Sequence, residues 1–339
     1  MANIKLYDAV RNHDFAENTC FLCGARTGDD DDSKEHVFPK WLLHHFGLWN
    51  KRLTLINGTE IPYRMLVIPC CTQCNNTHLS QIENTIRTAF LAGASALRGV
   101  DREVLMLWIL KIFFGLLYRE IFLPMERRDP AAGSIVTTED MEQYQLLHYI
   151  LQASRIPIRF SQLESDIPAS LFIFELKEPA NPNLRFDYKD DVAVNTLYLR
   201  MGKVGILAAF DMGAQTFEGS HFFSKYQNHQ LHPLQFEELG ANLFMKAKKF
   251  NRIPKAMIAE SPSGIDFQVA PIAGLSTRPV FEKWSSEEMA EMLMFFLGYL
   301  REAVMPVEDR LASWLHREDG SFWHMDINVP PWSITSEAS

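Results

Sequence analysis

No cysteine lies beyond position 74; all five fall between Cys20 and Cys74. That clustering excludes the dispersed framework of a secreted disulfide scaffold and points to metal-binding pairs in a reducing compartment. Long apolar runs are also missing. The most apolar stretch, Val104 to Tyr118, is interrupted by Lys111 and soon followed by Arg119 and Glu120, whereas a bilayer span needs roughly 20 apolar residues. It reads as a buried core helix, and no membrane association is expected. The start, Met1 to Lys5, has neither the basic residues nor the apolar run of a signal peptide, and Asp8, Arg11 and Asp14 follow at once, so a cytoplasmic location is expected. Positive charge is in deficit too. With 33 basic against 42 acidic residues the formal charge is −9, which excludes a surface that coats nucleic acid indiscriminately. Any nucleic-acid contact must come from a local patch. Up to residue 89 there are 9 basic and 10 acidic residues, so the acidity sits in the remainder, with 24 and 32. There are no internal repeats and no low-complexity linkers.

The chain of 339 residues, 47% hydrophobic and 12% aromatic, is long enough for two domains with their own cores. Residues 1–99 read as a compact metal module and 100–339 as a larger body. The module shows a short helix around Trp41 to Phe46, a hairpin from Leu53 to Ile61 turning at Asn57-Gly58, and a helix with Leu79, Ile82, Ile86 and Phe90 at helical spacing. The body reads as helical over 100–155, strand-rich over 165–275 and helical over 285–303. Pro124 closes its apolar helix, a Pro-Ala-Ala-Gly loop follows, and Thr137 to Ala153 forms an amphipathic helix. Leu171 to Leu176, Asn195 to Arg200 and Val204 to Phe210 alternate as antiparallel strands. A helix over Leu234 to Phe250 precedes a second hairpin, joined by Ser261 to Gly264, and Ser285 with Glu288 has capping-box spacing. The expected class is α+β: a small ββα-metal, treble-clef-like zinc module followed by a mixed body of helices and antiparallel strands.

Cys20-Phe-Leu-Cys23 and Cys71-Thr-Gln-Cys74 each place two thiols on a tight turn. Two such turns close a tetrahedral four-thiolate zinc site with no open position, hence a structural one. Cys70 is one residue too far from Cys74 for the ordinary knuckle and is read as a neighbour.

Between the pairs lies Glu35-His36-Val-Phe-Pro39, and directly after the second comes Asn75-Asn76-Thr77-His78. Over about residues 15–90 this order and spacing resembles the zinc-bearing branch of the HNH endonuclease family. The resemblance implies a metal-dependent phosphodiesterase acting on nucleic acid, DNA more than RNA. His36 would be the general base, and Glu35 and Asn75 would be ligands of a catalytic magnesium or manganese, with Asn76 and His78 as alternative ligands. The family carries an Asn on the second strand that orients the histidine. Tyr63 to Pro69 has none, so Asn57 or a backbone carbonyl is expected in its place. Glu83 reads either as a brace for the site or as a surface carboxylate.

Outside the module, Lys246, Lys248, Lys249, Arg252 and Lys255 are five cations without an intervening acid, a candidate nucleic-acid contact or a solvated helix face. Asp29 to Asp32 read as a solvated charge run. His44, His45, His221, His229 and His232 read as structural or surface residues, and Trp41, Trp108, Trp284, Trp314, Trp323 and Trp332 as packing residues. Two readings compete with the nuclease. One is a zinc-ribbon binding module without catalysis; the other is an effector nuclease gated by a ligand of the C-terminal body. Restriction, phage defence or mobile-element biology would suit such a chain.

Overall fold

A computed structural model describes residues 5–12, 14–28, 33–161, 166–215, 222–252, 254–261, 264–270, 277–328 and 331–332. Asp29 to Asp32 and His221 lie outside them. The fold is mixed α+β, as the sequence implies.

The chain forms two compact units: Met1–Thr88 with Val100–Arg159 and Ile258–Phe267, and Ala89–Gly99 with Phe160–Met257 and Gln268–Ser339. Residues 100–159, read from sequence as part of the C-terminal body, therefore belong with the metal module. A module with strands of three residues cannot enclose a core alone, and the apolar helix fills that need.

In the first unit, β1 (Lys34–His36) pairs antiparallel with β4 (Val67–Pro69), placing Glu35 opposite Ile68 and His36 opposite Val67. Between them lie α1 (Lys40–His45) and the hairpin of β2 (Arg52–Thr54) and β3 (Glu60–Pro62). Gly58 takes φ +78° in its turn, the left-handed conformation that the Asn-Gly pair predicts. After Cys71 the chain makes a π-helical turn, Cys74–Leu79, and continues into α2 (Ser80–Ala92); α3 (Ala94–Arg98) follows in the second unit.

The apolar stretch is α4 (Arg102–Glu120), capped by the Asp101 carboxylate accepting from Glu103 N–H, and from Leu105 to Tyr118 every side chain is buried. Gly115 lets it lie close to the β1–β4 ribbon: a Cβ there would sit 3.3 Å from Val37 Cγ1 and 3.4 Å from Ile68 Cδ1. The expected Pro-Ala-Ala-Gly loop is instead strand β6 (Asp129–Ser134), paired with β5 (Pro124–Glu126). The amphipathic helix is broken into a 3-10 turn, Asp140–Tyr144, then α5 (Gln145–Leu151), then a second 3-10 turn, Gln152–Ser154.

Short β7 (Ile158–Ser161) leads into the second unit. There β8 (Ser170–Leu176), β9 (Phe186–Asp191), β10 (Thr196–Met201), β11 (Val204–Ala209) and β12 (Gln230–Leu231) form a five-stranded sheet in the order β12-β8-β11-β10-β9. Only β12 runs parallel to its neighbour. Edge strand β9 was not foreseen, because its Phe-Asp-Tyr-Lys-Asp-Asp sequence carries the charges typical of a protected edge. Helix α6 (Pro233–Lys248) packs Phe236, Leu239 and Phe244 into a core with Phe174, Tyr198 and Leu207 of the sheet. Back in the first unit for most of their length, strands β13 (Ala256–Ser261) and β14 (Gly264–Val269) form the expected hairpin, in a three-stranded sheet of order β13-β14-β7. Helix α7 (Ser286–Leu297) starts with the Ser285–Glu288 capping box, and α8 (Arg301–Val304) follows.

Candidate functional site

The two knuckles meet. Sγ atoms of Cys20, Cys23, Cys71 and Cys74 all lie within 4.8 Å of one another, and the Cys23–Cys71 pair is 3.7 Å apart. A tetrahedron with metal–sulfur bonds of about 2.3 Å has edges of about 3.8 Å, so the four thiols can hold a metal ion such as zinc. All are free of disulfides. Among the described residues no other group of three or more His, Cys, Asp or Glu side chains is gathered closely enough to do so. Cys70 is buried beside them but is not one of the four.

Backbone bonds fix the first knuckle: Cys20 N–H donates to Ala25 O at 2.8 Å, and Phe21 N–H donates to Pro69 O, at the end of β4, at 2.9 Å. Helix α5 and the segment after it grip it from the other side. His148 Nε2 lies 2.8 Å from Phe21 O, and Arg155 Nε donates to Leu22 O at 3.2 Å. Burial pulls the His148 imidazole down to about 4, so it is neutral and donates through Nε2–H. Arg155 is near enough to all four thiols to feel them electrostatically, a cation placed beside a cluster that stays anionic when metal-loaded. Neither His148 nor Arg155 carries a sequence motif.

Strand alternation separates the Glu35-His36 pair. Glu35 points inward and is 6% exposed. Lys111 of α4, itself 1% exposed, donates from Nζ to Glu35 Oε1 at 2.5 Å, Glu83 Oε1 at 2.7 Å, His36 O at 2.9 Å and Val37 O at 3.2 Å. Burial works against the ammonium, but the two carboxylates outweigh it and hold Lys111 charged. Burial also pushes Glu35 up, to about 7, against the pull of Lys111. Glu83, which reads ambiguously in the sequence, is thus a brace: its carboxylate, 20% exposed, completes the triad.

His36 is half-buried on the opposite side of the strand. Its ring stacks on Trp49 at 5.8 Å between centroids and 23°, and the same indole stacks on His44 at 5.0 Å and 12°. Burial first, then the charges of Lys40, Lys111 and His44, lower the His36 imidazole to about 4, with Glu83 opposing. At neutral pH the ring is unprotonated, as a base must be before it acts. Its stacking partner is Trp49. Asn57, considered from sequence for orienting His36, is committed elsewhere: its amide donates to Met125 O at 2.7 Å and its Oδ1 accepts from Thr59 N–H.

Asn75, in the π-helical turn, donates from Nδ2 to Ser33 Oγ at 2.9 Å and to Lys34 O at 3.2 Å, tying the helix start to the strand of Glu35 and His36. Asn76 is exposed and His78 half-buried. No protein-family model, curated protein or solved structure matches this chain.

The cationic segment of the second unit has largely internal partners. Lys248 pairs with Asp191 at 3.3 Å, Lys249 pairs with Glu288, and Lys246 lies over the rings of Phe222, Phe223 and Phe281. Lys255 is exposed. Lys111 and Trp49 are the residues sequence reasoning missed. A lone lysine in a helix apolar on every face signals a charge needing a buried partner. Trp49 had no such signal beyond its nearness to three histidines.

Proposed function

We propose that the chain is an HNH-type endonuclease that hydrolyses phosphodiester bonds in nucleic acid, DNA in preference to RNA, with His36 as general base. The observation that carries this reading is the bridge from Asn75 to Ser33 and Lys34. It joins the helix start after the second knuckle to the strand bearing Glu35 and His36, within a unit that gathers the four thiols.

His36 would take a proton from water as the water oxygen bonds to phosphorus. The bond from phosphorus to the leaving sugar oxygen breaks, and that oxygen takes a proton from solvent. Four thiolates leave a zinc ion no open position, so the zinc would be structural. Glu35, Asn75 and His78 are the residues that would hold a catalytic magnesium or manganese, which would offset charge on the phosphorane. As arranged they do not fit it, because an ammonium already neutralises Glu35 at 2.5 Å. The developing negative charge would then fall to exposed Lys40, whose ammonium acts on the His36 ring, since Lys111 is buried and already matched by Glu35 and Glu83. Free, metal-ready cysteines suit a cytoplasmic setting, and restriction or phage defence would suit such an enzyme.

The commitment of Glu35 to Lys111 favours a second reading, a zinc-ribbon module that binds nucleic acid without cutting it. Cleavage of supercoiled plasmid, linear DNA and RNA by purified protein, with and without magnesium or manganese, separates the two. The nuclease reading expects cleavage lost in His36→Ala at unchanged zinc content. Equal cleavage by the variant, or none by the parent, would overturn it.

A further inference from the structure

The chain is acidic overall, yet the segment from Lys34 to Arg64 holds five cations, Lys34, Lys40, Lys51, Arg52 and Arg64, against two acids. One of those acids, Glu35, is buried and neutralised by Lys111. The four lysine and arginine residues from Lys34 to Arg52 are all exposed. Lys40 shares a neighbourhood with His44 and His36. Lys40 and His44 are four apart on α1 and so lie on one face of it. That face is the one beside His36, because both residues act on its imidazole electrostatically and His44 stacks on the indole that also stacks on His36. One residue, Asn50, separates Trp49 from Lys51 and Arg52, and Lys51 O accepts from Tyr63 N–H, pinning this corner to the end of the β2–β3 hairpin.

From this placement we propose that the α1 face bearing Lys40 and His44, extended by Lys51 and Arg52, seats the nucleic-acid phosphates that flank the one His36 acts on. Lys40 supplies a point charge, His44 a ring held by stacking on Trp49, and Lys51 with Arg52 the next contact along the backbone. The occupant is a polyanionic strand, because one phosphate would not need cations on both α1 and β2. The inference rests on the nuclease reading for the role of His36, but the binding surface is separable from cleavage. The groups that act on His36 are Lys40 and His44 from α1, Lys111 from α4 and Glu83 from α2; Lys111 is already matched by Glu35 and Glu83, whereas Lys40 is exposed.

The test uses the full chain carrying His36→Ala, so that substrate binds without being cut, with a fluorescent short duplex, a single strand and inorganic phosphate as probes. Anisotropy is read over roughly 50 to 200 mM salt. Lys40→Ala with His44→Ala, and separately Lys51→Ala with Arg52→Ala, should each weaken duplex binding about tenfold and lower the salt slope by about one per lost phosphate contact. Lys283→Ala with Arg317→Ala, two exposed cations of the second unit, should change neither. Zinc content and circular dichroism confirm folding in each variant. Unchanged affinity in both α1-face and β2 variants would overturn the proposal. So would no binding by the parent, a loss confined to Lys248→Ala with Lys255→Ala, or saturation by inorganic phosphate without duplex binding. Binding lost as expected in a parent that cuts nothing would sink the nuclease reading and leave the surface standing.

Discussion

Lys111 Nζ lies 2.5 Å from the carboxylate of Glu35, with both side chains almost completely removed from solvent. The same ammonium holds the carbonyls of His36 and Val37, so one buried charge from α4 fixes the backbone on which the proposed base stands. A lysine in a helix interior that packs against a sheet is costly unless every proton has a partner. Here four acceptors surround it.

Removing that charge is predicted to unfold the site. Lys111→Met leaves Glu35 buried and unpaired, and should cost about 3–5 kcal/mol in urea denaturation. Lys111→Met combined with Glu35→Leu should recover most of the loss, because the uncompensated carboxylate goes with its partner and Glu83 retains contact with solvent. A single variant as stable as the parent would mean that the triad does not organise the strand.

Acid should destabilise the first unit in a defined window. His36 and His148 both titrate near 4 in the folded chain, burial being the leading cause in each, against about 6.5 unfolded. Below 6.5 the unfolded chain binds protons that the folded chain refuses, so stability is complete above about 6.5 and is lost as pH falls toward 4. The fully buried His148 contributes on the order of 3 kcal/mol of this. His148→Gln should flatten the pH dependence of the denaturation midpoint, and an unchanged slope would refute the assignment. In cleavage assays the acid limb of kcat/KM should fall near pH 4 and not near 6.5.

Metal content should follow the four gathered thiols and ignore the fifth. Purified protein is expected to carry one zinc per chain by elemental analysis. Cys71→Ser should lose the metal and lower the melting temperature, since binding free energy at such a site is folding free energy. Cys70→Ser should keep the metal. Retention of zinc by the Cys71 variant, or its loss from the Cys70 variant, would redraw the cluster.

Local chemistry wrote some of this molecule directly into the sequence. Two Cys-x-x-Cys pairs meet because few other partners satisfy a thiol at that spacing, Asn57-Gly58 turns because few residues accept its backbone angles, and Ser285 with Glu288 caps α7 through bonds three residues apart. Strands β8, β10 and β11 were legible as strands from their apolar runs, but the alternation expected of them is absent: β10 and β11 are buried at every position and β8 at all but Glu175. What the sequence left open depends on residues far apart in the chain. Glu35 is adjacent to His36, but its charge is answered 76 residues later by Lys111, a pairing with no local pattern. The cations from Lys246 to Lys255 read as a phosphate contact or a solvated helix face, and that Asp191 pairs with Lys248 and Glu288 with Lys249 has no local pattern either. The His36–Trp49–His44 stack exists only once α1 and the turn after it fold back beside β1. Motifs determined which side chains this protein carries; packing of α4 and α1 against β1 decided which of them face one another, because burial and charge pairing act across space and not along the chain.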